Sequence, residues 1–134
     1  MKGSYILIIR FKKGKTIQIG KLGKIHFKKG FYVYIGSALN GLYQRINRHL
    51  RKTKKKHWHI DFLLNFSEIT GVLFKESKVK DECEIAKIME KQLVFIPGFG
   101  CSDCSCNSHL FYGSYEKIMS AIKCLQMMQY KEKN

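Results

Sequence analysis

Apolar side chains set the elements before anything else does. Tyr5 to Phe11 is rich in β-branched and aromatic residues, and Thr16 to Ile19 is a second short run after the Lys12-Lys13-Gly14-Lys15 turn. Together they predict a hairpin. Phe31 to Ile35, entered from Gly30 and left through Gly36, predicts a further strand. From Gly41 to Lys52 the period turns helical, because Leu42, Ile46 and Leu50 recur at i+4 and form one stripe. His57 to Phe66 predicts a short second helix with Trp58, Phe62 and Leu63 inward, and Glu68 to Glu76 a strand. Asp81 and Glu84 bracket a capping-box start, so a helix is expected from there to about Phe95, stopping before Pro97. A Gly/Cys/Ser/Asn loop covers 99–108, Leu110 to Tyr112 is short enough for an edge strand, and Ser114 caps a last amphipathic helix through Ile118, Ile122 and Leu125. The order β, β, β, α, α, β, α, loop, short strand, α is that of an α+β domain with a small sheet.

At 134 residues the chain holds one domain, 1–134, with no room for two independent cores. Charge changes the picture more than size does. Lys and Arg total 25 against 10 Asp and Glu, giving +15. The imbalance is local: residues 1–60 carry sixteen basic side chains and no carboxylate, while 61–134 carry nine basic and ten acidic. Such a one-sided field suits a polyanion, foremost nucleic acid. No apolar stretch is long enough to span a bilayer, and the start Met1 to Ile6 leads into a strand instead of a signal-peptide core, so a cytoplasmic address, nucleoid association included, is expected. Five cysteines, an odd count, point to reduced thiols or a metal site over a disulfide framework.

Three placements could carry chemistry. On the Gly41–Lys52 helix, with Leu42 at zero, Arg45 and His49 fall near about 300° and 340°, bordering the buried stripe, while Arg48, Arg51 and Lys52 lie further round. A guanidinium one turn from an imidazole beside a sheet suits a phosphate cleft; the alternative is a snorkelling arginine and a core histidine bonded to a carbonyl. On the later helix Glu82 shares the stripe of Ala86, Met89 and Leu93, whereas Glu84 faces water. A carboxylate there needs a basic group, the helix amides or a divalent cation. Tyr5 and Tyr34 stand in separate strands, each beside a glycine, as Gly3-Ser4-Tyr5 and Tyr34-Ile35-Gly36.

The ordered set Gly3-Ser4-Tyr5, Tyr34-Ile35-Gly36-Ser37, Arg45, His49 and Glu82 resembles the GIY-YIG nuclease superfamily. The strings HWHID at His57–Asp61 and GFGCSDCSCNSHLF at Gly98–Phe111 resemble more closely a small GIY-YIG-like group found largely in prokaryotes. Serine stands where the first motif has isoleucine. The resemblance implies a three-stranded antiparallel core sheet flanked by helices, here with a β-hairpin addition and a C-terminal helix, and metal-dependent hydrolysis of phosphodiesters in DNA. It makes Tyr5 the general base or water-orienting group and Tyr34 its helper. His49 takes the phenol's proton, Arg45 stabilises charge on the phosphate, and Glu82 holds one Mg²⁺ or Mn²⁺. The rival reading is a non-catalytic basic module that keeps the fold and binds nucleic acid without turnover.

Two further features adjoin that site. Cys101, Cys104, Cys106 and His109 offer four soft ligands within nine positions, although the C-x-C step is awkward for a shared Zn²⁺. Structural zinc is therefore the less favoured reading, and Asp103, Cys104 and His109 are expected to shape a tight loop that supports the site together with His57 or His59. The run Arg48, Arg51, Lys52, Lys54, Lys55 and Lys56 is the expected footprint on DNA, duplex or branched, with RNA as a further candidate. Sequence alone leaves the oligomeric state open.

Overall fold

Near-continuous burial of Gly3–Phe11, the strand β1, sets the architecture, because a strand apolar on both faces must be covered on both. In the computed structural model, which describes residues 2–52, 54–101 and 104–131, β1 lies inside a six-stranded sheet. One neighbour is β4 (Gly30–Ala38), antiparallel, with Tyr5 opposite Gly36 and Leu7 opposite Tyr34. The other is β5 (Glu68–Glu76), also antiparallel, with a register shift between Ile8 and Ile9. Outside this core, β7 (Leu110–Gly113) pairs with β4, β6 (Val94–Phe95) with β7, and β8 (Met128–Gln129) with β5. A separate hairpin is formed by β2 (Lys15–Gln18) and β3 (Lys24–Phe27).

Strand periodicity sorts the core into two layers. Tyr5, Leu7, Ile9 and Phe11 face one side, where α1 (Leu42–Leu50) and α2 (His59–Leu64) bring Leu42, Ile46, Ile60 and Leu63, and the hairpin adds Ile17 and Phe27. Ile6, Ile8, Val33 and Ile35 face the other, covered by α3 (Glu82–Glu90) and α4 (Tyr115–Lys123) through Ile85, Met89, Ile118 and Ile122. The fold is therefore mixed α+β, with an antiparallel sheet, a small hairpin sheet and, among the described residues, four α-helices.

Several local expectations change. The expected three-stranded core, β4-β1-β5, is extended on both sides into six strands. The Thr16–Ile19 run does not pair with β1, whose two edges are taken by β4 and β5; it turns off and pairs with β3. The third helix ends at Glu90, not Phe95, because Gln92 and Leu93 both bond back to the Met89 carbonyl and Val94–Phe95 joins the edge of β7. That addition makes β7 an inner strand. The second helix is shorter than its apolar pattern, starting at His59. Ser114 does cap α4, accepting from the Lys117 N–H at 3.2 Å. Asp81 sits at the N-cap of α3 without a side-chain cap bond, since its carboxylate instead accepts from the Ser4 hydroxyl and lies 3.8 Å from Lys75 Nζ. No described helix is long and apolar enough to cross a membrane.

Candidate active site and metal-ligand cluster

Two glycines make room for the site. A Cβ on Gly36 would lie 2.3 Å from Tyr5 Cζ and 2.4 Å from its hydroxyl, so only glycine lets the Tyr5 ring lie across β4. On Gly3 a Cβ would meet the Lys75 carbonyl oxygen at 2.3 Å, so only glycine lets β1 sit this close to β5. Ser4, next to Tyr5 and pointing to the opposite face, fastens the N-cap residue of α3 through Asp81. That bond sets Glu82, one residue on, at the same end of the sheet as Tyr5.

The result is a cleft of about 440 Å³ whose lining includes Tyr5, Tyr34, Arg45 and Glu82, drawn from β1, β4, α1 and α3. His49 stands behind it. Its Nε2 lies 2.7 Å from the Tyr5 hydroxyl, its ring is 2% exposed, and its Nδ1 has no hydrogen-bond partner among the described residues. Burial, with help from the Arg48, Lys54 and Arg45 charges, lowers its pKa to about 3 against the pull of Asp61, so the imidazole is neutral. Burial also pushes the Tyr5 phenol well up, with Arg45 opposing, and the Tyr34 phenol likewise. Both tyrosines are neutral at ordinary pH.

Arg45 is held from two directions: one N–H of its fork goes to the Ser37 carbonyl at 3.0 Å, and its Cζ lies over the Trp58 ring, 4.6 Å from the centroid. Arg48 lies 4.4 Å from the same ring and grips Asp61 with both forks, at 2.9 and 3.0 Å. Asp61 is fully buried and also accepts from the His57 and Trp58 amides, which satisfies two free N–H groups at the start of α2. Burial alone would raise its pKa, but Arg48 and the two amides outweigh that and hold it below the usual carboxylate range. Trp58 and Asp61 stand out in the sequence as an inward helix residue and as members of the HWHID string; their work beside the cleft follows from contacts with Arg45 and Arg48, which chain spacing does not reveal.

On the opposite wall Glu82 is 9% exposed, with Lys80 Nζ 3.2 Å from Oε1 and His109 Nδ1 3.7 Å from Oε2. Burial lowers the His109 pKa against the attraction of Glu82. Beside them Cys83, Cys104, Cys106 and His109 place their ligand atoms within 4.8 Å of one another, a set that can hold a metal. Cys101, expected in that set, is replaced by Cys83; the Cys101 thiol donates instead to the Phe99 carbonyl at 3.5 Å. The helix supplies what the loop spacing lacked. Burial raises the Cys83, Cys101 and Cys106 thiols, Cys101 to about 12; neighbouring sulfurs add to the rise at Cys101 and Cys106, whereas at Cys83 the hydrogen bond with Cys106 opposes it.

The remaining sequence candidates divide. His59 Nδ1 accepts the Gly100 amide at 2.9 Å, tying α2 to the cysteine loop, whereas His57 is exposed and contributes its backbone amide. Arg48, expected toward solvent, is turned inward by Asp61. Lys54 donates to the His49 and Arg51 carbonyls at the end of α1. Arg51, Lys52, Lys55 and Lys56 are exposed, with Lys56 over the Phe62 ring at 5.5 Å. Asp103 lies outside the described residues.

Residues 4–130 match the family model described as Domain of unknown function DUF123. The chain belongs to that family. No curated protein and no solved structure matches it. DUF123 membership thus spans β1 to β8 and includes both walls of the cleft.

Proposed function

We propose that the protein binds DNA and hydrolyses its phosphodiester backbone as a divalent-metal-dependent endonuclease of the GIY-YIG kind. The observation that carries this reading is the meeting of Tyr5, Tyr34, Arg45 and Glu82 in one cleft, with His49 bonded to the Tyr5 hydroxyl. A phenol donating to neutral Nε2 keeps its lone pairs for a second partner, so Tyr5 orients a water by accepting from it. As the water oxygen bonds to phosphorus and the bond to the leaving sugar oxygen breaks, the water's proton goes to the Tyr5 oxygen and the phenol's own proton to Nε2, while the departing sugar oxygen takes a proton from solvent water in the open cleft. Burial of His49 opposes that transfer. Orientation is therefore the larger contribution and proton abstraction the smaller. Arg45, stacked on Trp58, meets the charge that grows on the phosphate oxygens.

Glu82 fits an Mg²⁺ or Mn²⁺ ion, since such ions take one or two carboxylates and fill the rest with water and phosphate; bound there, the ion would neutralise phosphate charge. The Lys80 ammonium at 3.2 Å already places positive charge against that carboxylate. The same ion pair, with two neutral buried phenols, favours the second reading: a basic module that binds nucleic acid without cutting it.

Duplex, nicked and branched DNA incubated with Mg²⁺ or Mn²⁺ separates the two. Tyr5→Phe and Glu82→Gln are each expected to slow cutting by about a hundredfold or more while leaving DNA affinity within about threefold. Binding without cutting of any substrate by the unmodified protein would leave only the module.

A further inference from the structure

We infer that Cys83, Cys104, Cys106 and His109 bind one zinc ion, which clamps the cysteine-rich loop to the N-terminus of α3. This stands apart from the nuclease reading. A tetrahedral site with Zn–S near 2.3 Å and Zn–N near 2.0 Å needs ligand atoms about 3.5 to 3.8 Å apart. Here all four lie within 4.8 Å of one another, and Cys104 Sγ to His109 Nε2 is 3.4 Å. Small rotations of side chains close the set.

The donor chemistry selects the metal. Three thiolates and an imidazole suit zinc and reject the oxygen-seeking Mg²⁺ and Mn²⁺ assigned to the cleft. Cys83 sits in the first turn of α3, which points its thiol toward the same end of the helix as Glu82. His109 is buried and turns its other nitrogen, Nδ1, toward Glu82 Oε2 at 3.7 Å. A carboxylate behind a histidine is the usual outer partner of a ligating imidazole, and a shift of less than about 1 Å would bring this one to hydrogen-bond distance. Three thiolates packed this closely would repel one another, and a dication removes that repulsion.

The ion would join two segments that the chain keeps apart. Cys83 comes from the helix that carries Glu82; Cys104, Cys106 and His109 come from the stretch after Gly100, whose amide donates to His59 on the opposite wall. The loop is otherwise tied down by the Gly98 amide on the Asn107 carbonyl at 2.8 Å and the His109 amide on the Phe99 carbonyl at 2.8 Å. Zinc at this place sets the distance between the two walls.

Untagged protein purified under reducing conditions without chelator is expected to contain one zinc per chain by elemental analysis. After removal of the metal, Co²⁺ should restore one equivalent of a tetrahedral cobalt–thiolate visible spectrum, and added Zn²⁺ should displace it. Cys83→Ser and Cys106→Ser should each weaken Zn²⁺ binding by at least about tenfold, with Cys101→Ser unchanged. Zinc below one-tenth of an equivalent, iron in its place, a disulfide among Cys83, Cys104 and Cys106 found by mass spectrometry, or loss of metal in Cys101→Ser would each overturn the assignment. The cobalt spectrum of the unsubstituted protein decides the matter even where a variant fails to fold.

Discussion

The two walls of the cleft handle buried polarity in opposite ways. On the α1–α2 wall protein groups answer one another: Arg48 pairs with Asp61, the Arg45 and Arg48 guanidinium groups each lie over the Trp58 ring, and the Tyr5 hydroxyl meets His49. On the α3 wall three thiols and a histidine converge, and Glu82 leans on the half-exposed Lys80. The difference teaches where geometry comes from. Folding alone can set the first wall, including the guanidinium that faces the cleft, whereas the second is finished by cations, zinc at the cluster and a hard divalent ion at Glu82 on the proposals above.

Breaking the self-sufficient wall gives the largest effect. Asp61→Ala removes the carboxylate that holds the Arg48 fork and the first amides of α2, leaving a largely buried guanidinium without its partner. A loss of about 3 kcal/mol in urea unfolding is expected. If Asp61→Ala unfolds within about 0.5 kcal/mol of the parent, Asp61 is not what sets this wall. Acid acts through the same carboxylate. Its pKa lies below the unfolded value, so its contribution is present above the ordinary carboxylate range, near pH 4, and is lost as pH falls through the folded value.

A smaller effect belongs to His49 and falls in a different pH window. Its folded pKa of about 3 lies below the unfolded value near 6.5, so the unfolded chain takes up the proton first. Stability from this group is complete above about pH 6.5 and declines toward pH 3, with a slope of at most ~1.4 kcal/mol per pH unit. His59 and His109 are also lowered and add slopes of their own, so the informative quantity is a difference. Unfolding curves for the parent and His49→Gln should diverge between about pH 6 and 4, the variant being flatter by up to one proton. Parallel curves would mean that His49 takes up its proton as readily in the fold as in the unfolded chain, and that burial does not hold the ring neutral below about pH 6.

The two walls also differ in how far the sequence disclosed them. The i, i+4 step from Arg45 to His49 and the stripe of Glu82 with Ala86 and Met89 are each periodicities within one helix, so both are legible in the sequence. Glu68–Glu76 was likewise legible to the residue, as a β-rich run between polar ends. What escaped depends on contacts across the chain. Trp58 stacks on two arginines of a preceding helix, Asp61 folds back on Arg48, and Cys83 meets Cys104 and Cys106 only because α3 and the loop share one end of the sheet. The same reason explains the misplaced hairpin: local turn chemistry predicted a β1–β2 pair, and β5, far along the chain, had taken that edge.

The smallest effect separates the basic run into two trades. Lys54 donates to the His49 and Arg51 carbonyls and so closes the end of α1, while Lys52 and Lys55 are exposed side chains on the same segment. If the exposed pair meets phosphates, the double variant Lys52→Ala/Lys55→Ala should flatten the log–log dependence of duplex DNA affinity on salt by about 1.8, at about 0.9 per contact. Its unfolding should stay within about 0.5 kcal/mol of the parent. Lys54→Ala should do the reverse: about 0.5 to 1 kcal/mol of stability lost with the two carbonyl bonds, and a salt slope close to the parent's. A Lys54→Ala slope as flat as that of the double variant would show that the run acts as one undivided patch of charge, with no share of it reserved for building the α1–α2 wall.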